Sequence, residues 1–234
     1  MLASFYTAAT GAIAQQNGMS LHANNIANVS TSGYKADEGV FSDLLYTNVH
    51  SDGNDSLKTG HGTKLGATDT VFQQGSLKDT DRSLDYALCS DKTFFAVRGT
   101  DGTVKYTRCG AFTKSVGQDG KTYLSDGSGG YVLDGSGNAI AVTDDEKKLG
   151  IGVYTFKNLD GLVKTGDNYF SATNVSGDAY RAENAEIKQA CLESSSTDMA
   201  SELSNVIVSE RAFGFNAKVV QMSDEIMQTV NSLR

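Results

Sequence analysis

The sequence predicts an α+β protein in which long N- and C-terminal helices form a coiled-coil stem and a compact antiparallel β domain is inserted between them. Three observations carry this. Apolar residues recur at alternating steps of three and four at the start of the chain. The same pattern returns at its end. Between them, short β-type runs alternate with Asp-Gly and Ser-Gly turns.

The first zone, residues 1–30, is predicted to hold a helix. Leu2, Phe5, Ala9, Ala12, Met19, Ala23 and Ile26 form a heptad-like stripe that only Gln16 interrupts. Ala8, Ala9, Ala12 and Ala14 are small enough to let another helix come close. Gly11 and Gly18 each weaken the helix by about 1 kcal/mol relative to alanine. The helix is expected to stop near Ala27. Asn24, Asn25 and Asn28, then a Ser/Thr run and Gly33-Tyr34-Lys35, form a helix-exit motif. Asn28 and the hydroxyl residues can satisfy loose backbone groups at the helix end. Gly33 lets the chain swing outward, and Tyr34-Lys35 begin that path.

Residues 1–45 are thus an axial helix with its exit segment, and 46–75, polar and glycine-rich, form an extended connector. The β domain is expected at 76–185. Asp101-Gly102, Asp119-Gly120, Asp126-Gly127, Asp134-Gly135 and Asp160-Gly161 are hairpin-type signals. Residues 186–234 hold the C-terminal axial helix, packed with 1–45. Ser196-Thr197-Asp198 offers N-cap candidates, with Glu202 close behind. One stripe contains Val208, Ala212, Phe215, Val219, Met222, Ile226 and Leu233, and a second contains Met199, Leu203, Val206, Phe213, Ala217, Val220 and Met227. One partner helix cannot cover two seams, so several neighbours are implied. A helix of roughly 35 residues would span about 50 Å, which suits an assembly better than a compact domain.

Composition excludes several functions. The formal net charge of −8 argues against nucleic acid as the main partner and against a basic membrane-surface protein. No run approaches the length of a membrane-spanning helix, so no direct membrane insertion is expected. The N-terminus has no basic region before its apolar run, so no cleaved signal peptide is expected. The chain has no proline. That absence would suit quick refolding, because X-Pro isomerisation is slow. Compositional drift accounts for it equally well. Cys89, Cys109 and Cys191 contain no CxxC, so neither a disulfide framework nor a zinc module is expected. Cys89 and Cys109 could pair within the β domain or stay free.

Chemistry is sparse. His22, His50 and His61 belong to no metal-ligand motif, and His22 is expected at a surface or interface. Ser32-Gly33-Tyr34-Lys35 and two Lys-Thr-Gly tripeptides echo an acyl-enzyme set, but no Ser-Asp-Asn accompanies them. Residues 134–145 lack the glycine of a calcium loop at its sixth position, where Ala139 stands. No enzyme, cofactor or metal is expected.

"LHANNIANVSTSGYKADEGVF", residues 21–41, resembles the N-terminal signature of the bacterial flagellar rod and hook proteins. Residues 203–234 resemble that family's closing helix, through Ser204-Asn205-Val206, Arg211-Ala212-Phe213, Asn216-Ala217-Lys218 and Asp224-Glu225. "GSLKDTDRSLDYAL" and "DGTVKYTRCGAFT" are similar to the β domain of the rod proteins. The resemblance covers nearly the whole chain. It implies a structural subunit of the flagellar basal body, outside the cytoplasmic membrane and exported uncleaved by the flagellar type III export apparatus. It further implies a helical homo-oligomer that joins other axial proteins, rod and hook subunits, and passes motor torque to the hook. The short chain with one β domain favours the distal rod protein or its β-domain-bearing rod paralogue over the hook subunit. The remaining reading is a secreted β-rich adhesin on a coiled-coil stem. Two departures stand out. Ser90 and Lys92 occupy positions where the family commonly has glycine. The family's Leu-Glu-x-Ser-Asn-Val run matches Leu192-Glu193-Ser194-Ser195 and Leu203-Ser204-Asn205-Val206 in part each, which leaves the register of 192–206 open.

Overall fold

A computed structural model describes residues 2–48, 57–117, 119–142, 149–183 and 185–233. His50 and Asp145, at the end of the calcium-loop candidate, lie outside them. The chain divides into two compact units: Met1–Ala27, Asp37–Asp69 and Asp198–Arg234 form one, and Asn28–Ala36 with Thr70–Thr197 form the other.

The first unit is built on two helices. α1 runs from Leu2 to Ala27 and α2 from Met199 to Ser232. α1 ends where the sequence placed it. α2 begins after Asp198, whose extended backbone and carboxylate accepting from the Ala200 amide at 3.1 Å make it the N-cap. The C-terminal segment assigned from 186 therefore opens with two strands, Ile187–Gln189 and Cys191–Glu193, and the helix starts only at Met199. Leu192-Glu193 lies in a strand, and Leu203-Ser204-Asn205-Val206 lies in α2.

The helices pack antiparallel, with Gly11 against Asn216 and His22 against Glu202. A Cβ on Gly11 would stand 3.0 Å from the Asn216 carboxamide, so glycine permits the close approach. The buried positions are Ala8, Gly11, Ala14, Gly18 and Asn25 on α1, and Ser209 and Ser223 on α2. This seam lies one residue away from the predicted apolar stripe of α1. It is made of small and polar side chains.

Among its described residues the unit also holds the strands β1 (Asp37–Asp43), β2 (Tyr46–Asn48), β3 (Lys58–Gly60) and β4 (Thr63–Thr70). β1 pairs with β4, and β2 pairs antiparallel with β3. Residues 46–75, expected as an extended connector, therefore hold three strands. The ribbon lies on α1. Phe41 fills the space beside Gly18, and the Thr10 hydroxyl donates to the His61 carbonyl at 3.1 Å.

Among its described residues the second unit is β, with one turn of 3-10 helix at Leu159–Gly161. Its strands are β5 (Leu77–Asp79), β6 (Tyr86–Leu88), β7 (Thr93–Arg98), β8 (Val104–Thr107), β9 (Thr113–Val116), β10 (Thr122–Ser125) and β11 (Tyr131–Val132). They continue with β12 (Val153–Thr155), β13 (Val163–Gly166), β14 (Tyr169–Ser171), β15 (Tyr180–Arg181), β16 (Ile187–Gln189) and β17 (Cys191–Glu193). The main sheet runs β13-β14-β8-β7-β11-β10-β9, with β12 pairing to both β7 and β15. β7 is central and buried over Thr93–Val97, as its unbroken apolar run requires. Phe95, Phe112, Leu124 and Val132 form one core, and Phe94, Phe156 and Phe170 form another.

Asp-Gly pairs make the turns at 101–102, 119–120 and 126–127 between consecutive strands. In the third, Asp126 Oδ1 accepts from the Ser128 and Gly130 amides at 3.0 and 2.9 Å. Asp134 does the same for Ser136 and Asn138, so the calcium-loop candidate begins with a side-chain-capped turn. Asp160-Gly161 is not a hairpin. It sits in the 3-10 turn, capped by Asn158.

Candidate assembly surface and exit motif

The residues of the exit motif are divided between the two units, and each part is fixed by specific bonds. In the helical unit, Asn25 is fully buried. Its carboxamide donates to the Asp37 carbonyl at 2.8 Å and accepts from the Asp37 amide at 3.0 Å. The same nitrogen donates to Glu202 Oε1 at 2.8 Å, while Glu202 Oε2 meets His22 Nδ1 at 2.6 Å. His22 is thus an interface histidine between α1 and α2. Asn24 is exposed on the same helix.

In the β unit, Asn28 opens a turn that Thr31 closes by donating its amide to the Asn28 carbonyl at 3.1 Å. Gly33, Tyr34 and Lys35 are all buried. Gly33 has φ +70°, and a Cβ there would lie 2.6 Å from the Cys109 nitrogen. Lys164 Nζ sits 4.8 Å above the Tyr34 ring and donates to the Lys35 carbonyl.

Lys35 enters a buried ionic cluster. Its Nζ lies 2.6 Å from Glu193 Oε1, and Arg108 Nε lies 2.8 Å from Glu193 Oε2, with all three side chains shielded from solvent. Arg108 Nη1 also donates to the carbonyls of Ser90, Asp91 and Thr93. Burial, and after it the Arg108 guanidinium, push the Lys35 ammonium below the ordinary lysine range, while Glu193 pulls the other way. Removing one partner from such a cluster typically costs about 3–5 kcal/mol, because a buried charge is left unmatched. Lys35 is occupied by Glu193 and the Gln73 carbonyl, so it is not placed as a base for Ser32. Sequence reading missed Arg108 and did not join Glu193 to Lys35. The signal for Glu193 was its place in the family's Leu-Glu-x-Ser run.

The stripe residues lie mostly outside the α1–α2 seam. On α1, which Leu2 begins, Phe5, Ala9, Ala12, Met19 and Ile26 are half-buried and Ala23 is exposed. On α2, Val206, Ala212 and Val219 are half-buried. Leu203, Val208, Phe213, Phe215, Met222 and Ile226 are exposed, Val208 and Phe215 by about two thirds (65% and 66%). Leu233, just past the helix end, is exposed as well. Tyr6, Ile13, Ile207, Met227 and Val230 are also exposed. Cys89, Cys109 and Cys191 are free thiols.

A family model for the flagella basal body rod protein matches residues 5–35, and one for the flagellar basal body rod FlgEFG protein C-terminal region matches 188–233. The flagellar basal-body rod protein FlgG of Buchnera aphidicola (subsp. Schizaphis graminum) is 31% identical over the whole of both chains. FlgG of Agrobacterium fabrum is 32% identical over 96% of each chain. FlgG of Bacillus subtilis is 30% identical over the whole of both. The chain belongs to the flagellar basal-body rod protein family. It is a structural axial subunit of the flagellum, not an enzyme. The two family matches meet the structure at its connections: 5–35 takes in α1 and the exit motif, and 188–233 takes in Glu193 and α2. As a rod-family protein it assembles with other axial components. No helix among the described residues is long and apolar enough to cross a membrane.

Proposed function

We propose that this chain is a distal-rod subunit that polymerises helically with copies of itself through its terminal helices and passes motor torque toward the hook. One observation carries the reading. The seam between α1 and α2 is made of glycine, alanine, serine and asparagine, while most of the large apolar residues of α2, among them Val208, Phe213, Phe215, Met222 and Ile226, are exposed. An apolar side chain of this size gains about 1.5–3 kcal/mol when buried from water, and a face of several favours association. The residues assigned to that contact are Phe5, Ala9, Ala12, Met19, Ala23 and Ile26 on α1, and Leu203, Val206, Val208, Ala212, Phe213, Phe215, Val219, Met222, Ile226 and Leu233 on or at the end of α2. Leu2, at the start of α1, belongs to the same set. The partners are other rod and hook subunits. The chain reaches its place outside the cytoplasmic membrane through the flagellar type III export apparatus, without cleavage.

The test is polymer formation by the purified full-length chain, followed by electron microscopy and sedimentation. Polymers that persist at high salt are expected, and Phe215→Asp or Val219→Asp should abolish them while the β unit stays folded. Unchanged polymers in both variants would remove α2 from the axial contact.

A further inference from the structure

The chain passes between the two units at 27/28, 36/37, 69/70 and 197/198. Three stretches of the β unit therefore receive every covalent path from the helical unit: residues 28–36, those that follow 69, and those that precede 198. All three meet at one carboxylate. Glu193 Oε1 accepts from Lys35 Nζ, on the first stretch, at 2.6 Å, and from the Gly75 amide, on the second, at 2.9 Å. Glu193 itself stands on the third. Its backbone carbonyl accepts from the Gly33 amide at 2.8 Å. Oε2 accepts from Nε of Arg108, which directly follows β8 of the main sheet.

Backbone bonds join the same stretches in pairs. Val71 donates to the Ala36 carbonyl at 2.9 Å, Ser194 to the Ser76 carbonyl at 2.9 Å, and Ser196 to the Tyr34 carbonyl at 3.0 Å. Gly75 runs so close to the chain at Ser194 that a Cβ would strike its carbonyl. A buried charge cluster is a costly way to stabilise a core, and apolar residues of the same volume usually do as well. What it supplies is a fixed geometry, because each ion accepts only a narrow set of directions.

We infer that Glu193, with Lys35 and Arg108, is a mechanical clamp: it binds every strand of chain arriving from the helical unit to one another and, through Arg108, to the main sheet. These are positioning residues. They keep the connecting segments from peeling off the β unit when the two units are twisted against each other. The mechanical role rests on the torque-transmitting function proposed above, and the clamp itself does not.

The informative variant is Lys35→Met in the full-length chain. It leaves Arg108 and Glu193 as a one-to-one ion pair, so the sheet keeps its tie to Glu193, and only the first stretch loses its own. Hydrogen exchange should be at least ~10-fold faster at the amides of Gly33, Val71 and Ser196, with those of β7 and β8 unchanged. Glu193→Gln should loosen all three stretches together, adding Gly75 and Ser194. An equal rise across β7 and β8, or no rise at the connecting segments, overturns the clamp. In cells that carry Lys35→Met as their only copy, basal bodies should assemble in normal number and rotate normally at low viscous load, but fail at a lower load than the parent. Parental behaviour at every load overturns the mechanical role while the exchange result stands. A parent chain that forms no polymers overturns the rod assignment alone.

Discussion

Asn25 and Asp37 pair as two strand residues would, although one of them uses its side chain: the Asn25 carboxamide donates to the Asp37 carbonyl at 2.8 Å and accepts from its amide at 3.0 Å. The last turn of α1 and the first residue of β1 are thereby held together across the intervening loop. Glu202 on α2 takes a further bond from the same nitrogen. Asn25→Ala should destabilise the helical unit by about 2–4 kcal/mol, since the two bonds to the Asp37 backbone and the one to Glu202 are lost in a half-buried place. Asn25→Asp should be worse, because a carboxylate would face Glu202 and no donor would remain. Urea denaturation followed by helical circular dichroism measures both; an Asp variant as stable as the parent would contradict the bonding described.

Gly33→Ala should destabilise the β unit by about 2–4 kcal/mol. Its φ of +70° is unfavourable for a residue with a side chain, and the added Cβ would meet the backbone at Arg108 and Cys109 within 3 Å. Thermal unfolding monitored by tyrosine fluorescence gives the value. A loss below ~1 kcal/mol would mean that the Cys109 backbone yields easily.

The α2 cap should be lost in acid. The Ser201 hydroxyl first, then the Ala200 amide, hold the Asp198 carboxyl below the ordinary 3.8. A carboxylate whose folded value is depressed stabilises the fold fully above its unfolded value, and that contribution disappears as pH falls through the folded value. The window therefore opens near 3.8 and extends downward. The amide shift of Ala200, followed by NMR from pH 5 to pH 2, should report a midpoint under 3.8. A midpoint at or above it would count against the cap.

Cys109 and Cys191 should resist alkylation in the folded chain. Burial pushes the Cys109 thiol up, and the bond from Cys191 Sγ to Asp79 raises the Cys191 thiol. Both carry little thiolate at neutral pH, and Cys191 is fully buried. Peptide mapping after iodoacetamide treatment should show each labelling at least ~10-fold more slowly than in the denatured chain. Rates unchanged on folding would overturn this.

The helices and turns were legible in the sequence because their causes are local. Asp198 caps the helix that follows it by two atoms of its own side chain, and Ala27 is followed at once by a residue that turns the chain. Asp101-Gly102 and Asp119-Gly120 carry their geometry within a dipeptide. Asp160-Gly161 has the same letters but a different outcome, decided by Asn158 before it. The α1–α2 seam was harder to see because periodicity weighs side-chain size. Gly11, Ser209 and Asn216 mark a close contact by having little apolar bulk, which a search for large residues passes over. The clamp was illegible for another reason. Lys35 and Glu193 are separated by 158 positions, and no local pattern says which acid a buried lysine will meet.

That separation also sets an order of events. A chain that has released its first 190 residues holds Lys35 and Arg108 but not the carboxylate that bridges them. Two cations near one another keep that corner of the β unit hydrated and open, and closing so long a loop is slow. Completion of the β unit thus waits on residues close to the C-terminus. If the subunit is exported, as proposed above, and emerges N-terminus first, it would remain pliable through most of its passage and stiffen only when the last fifth of the chain arrives.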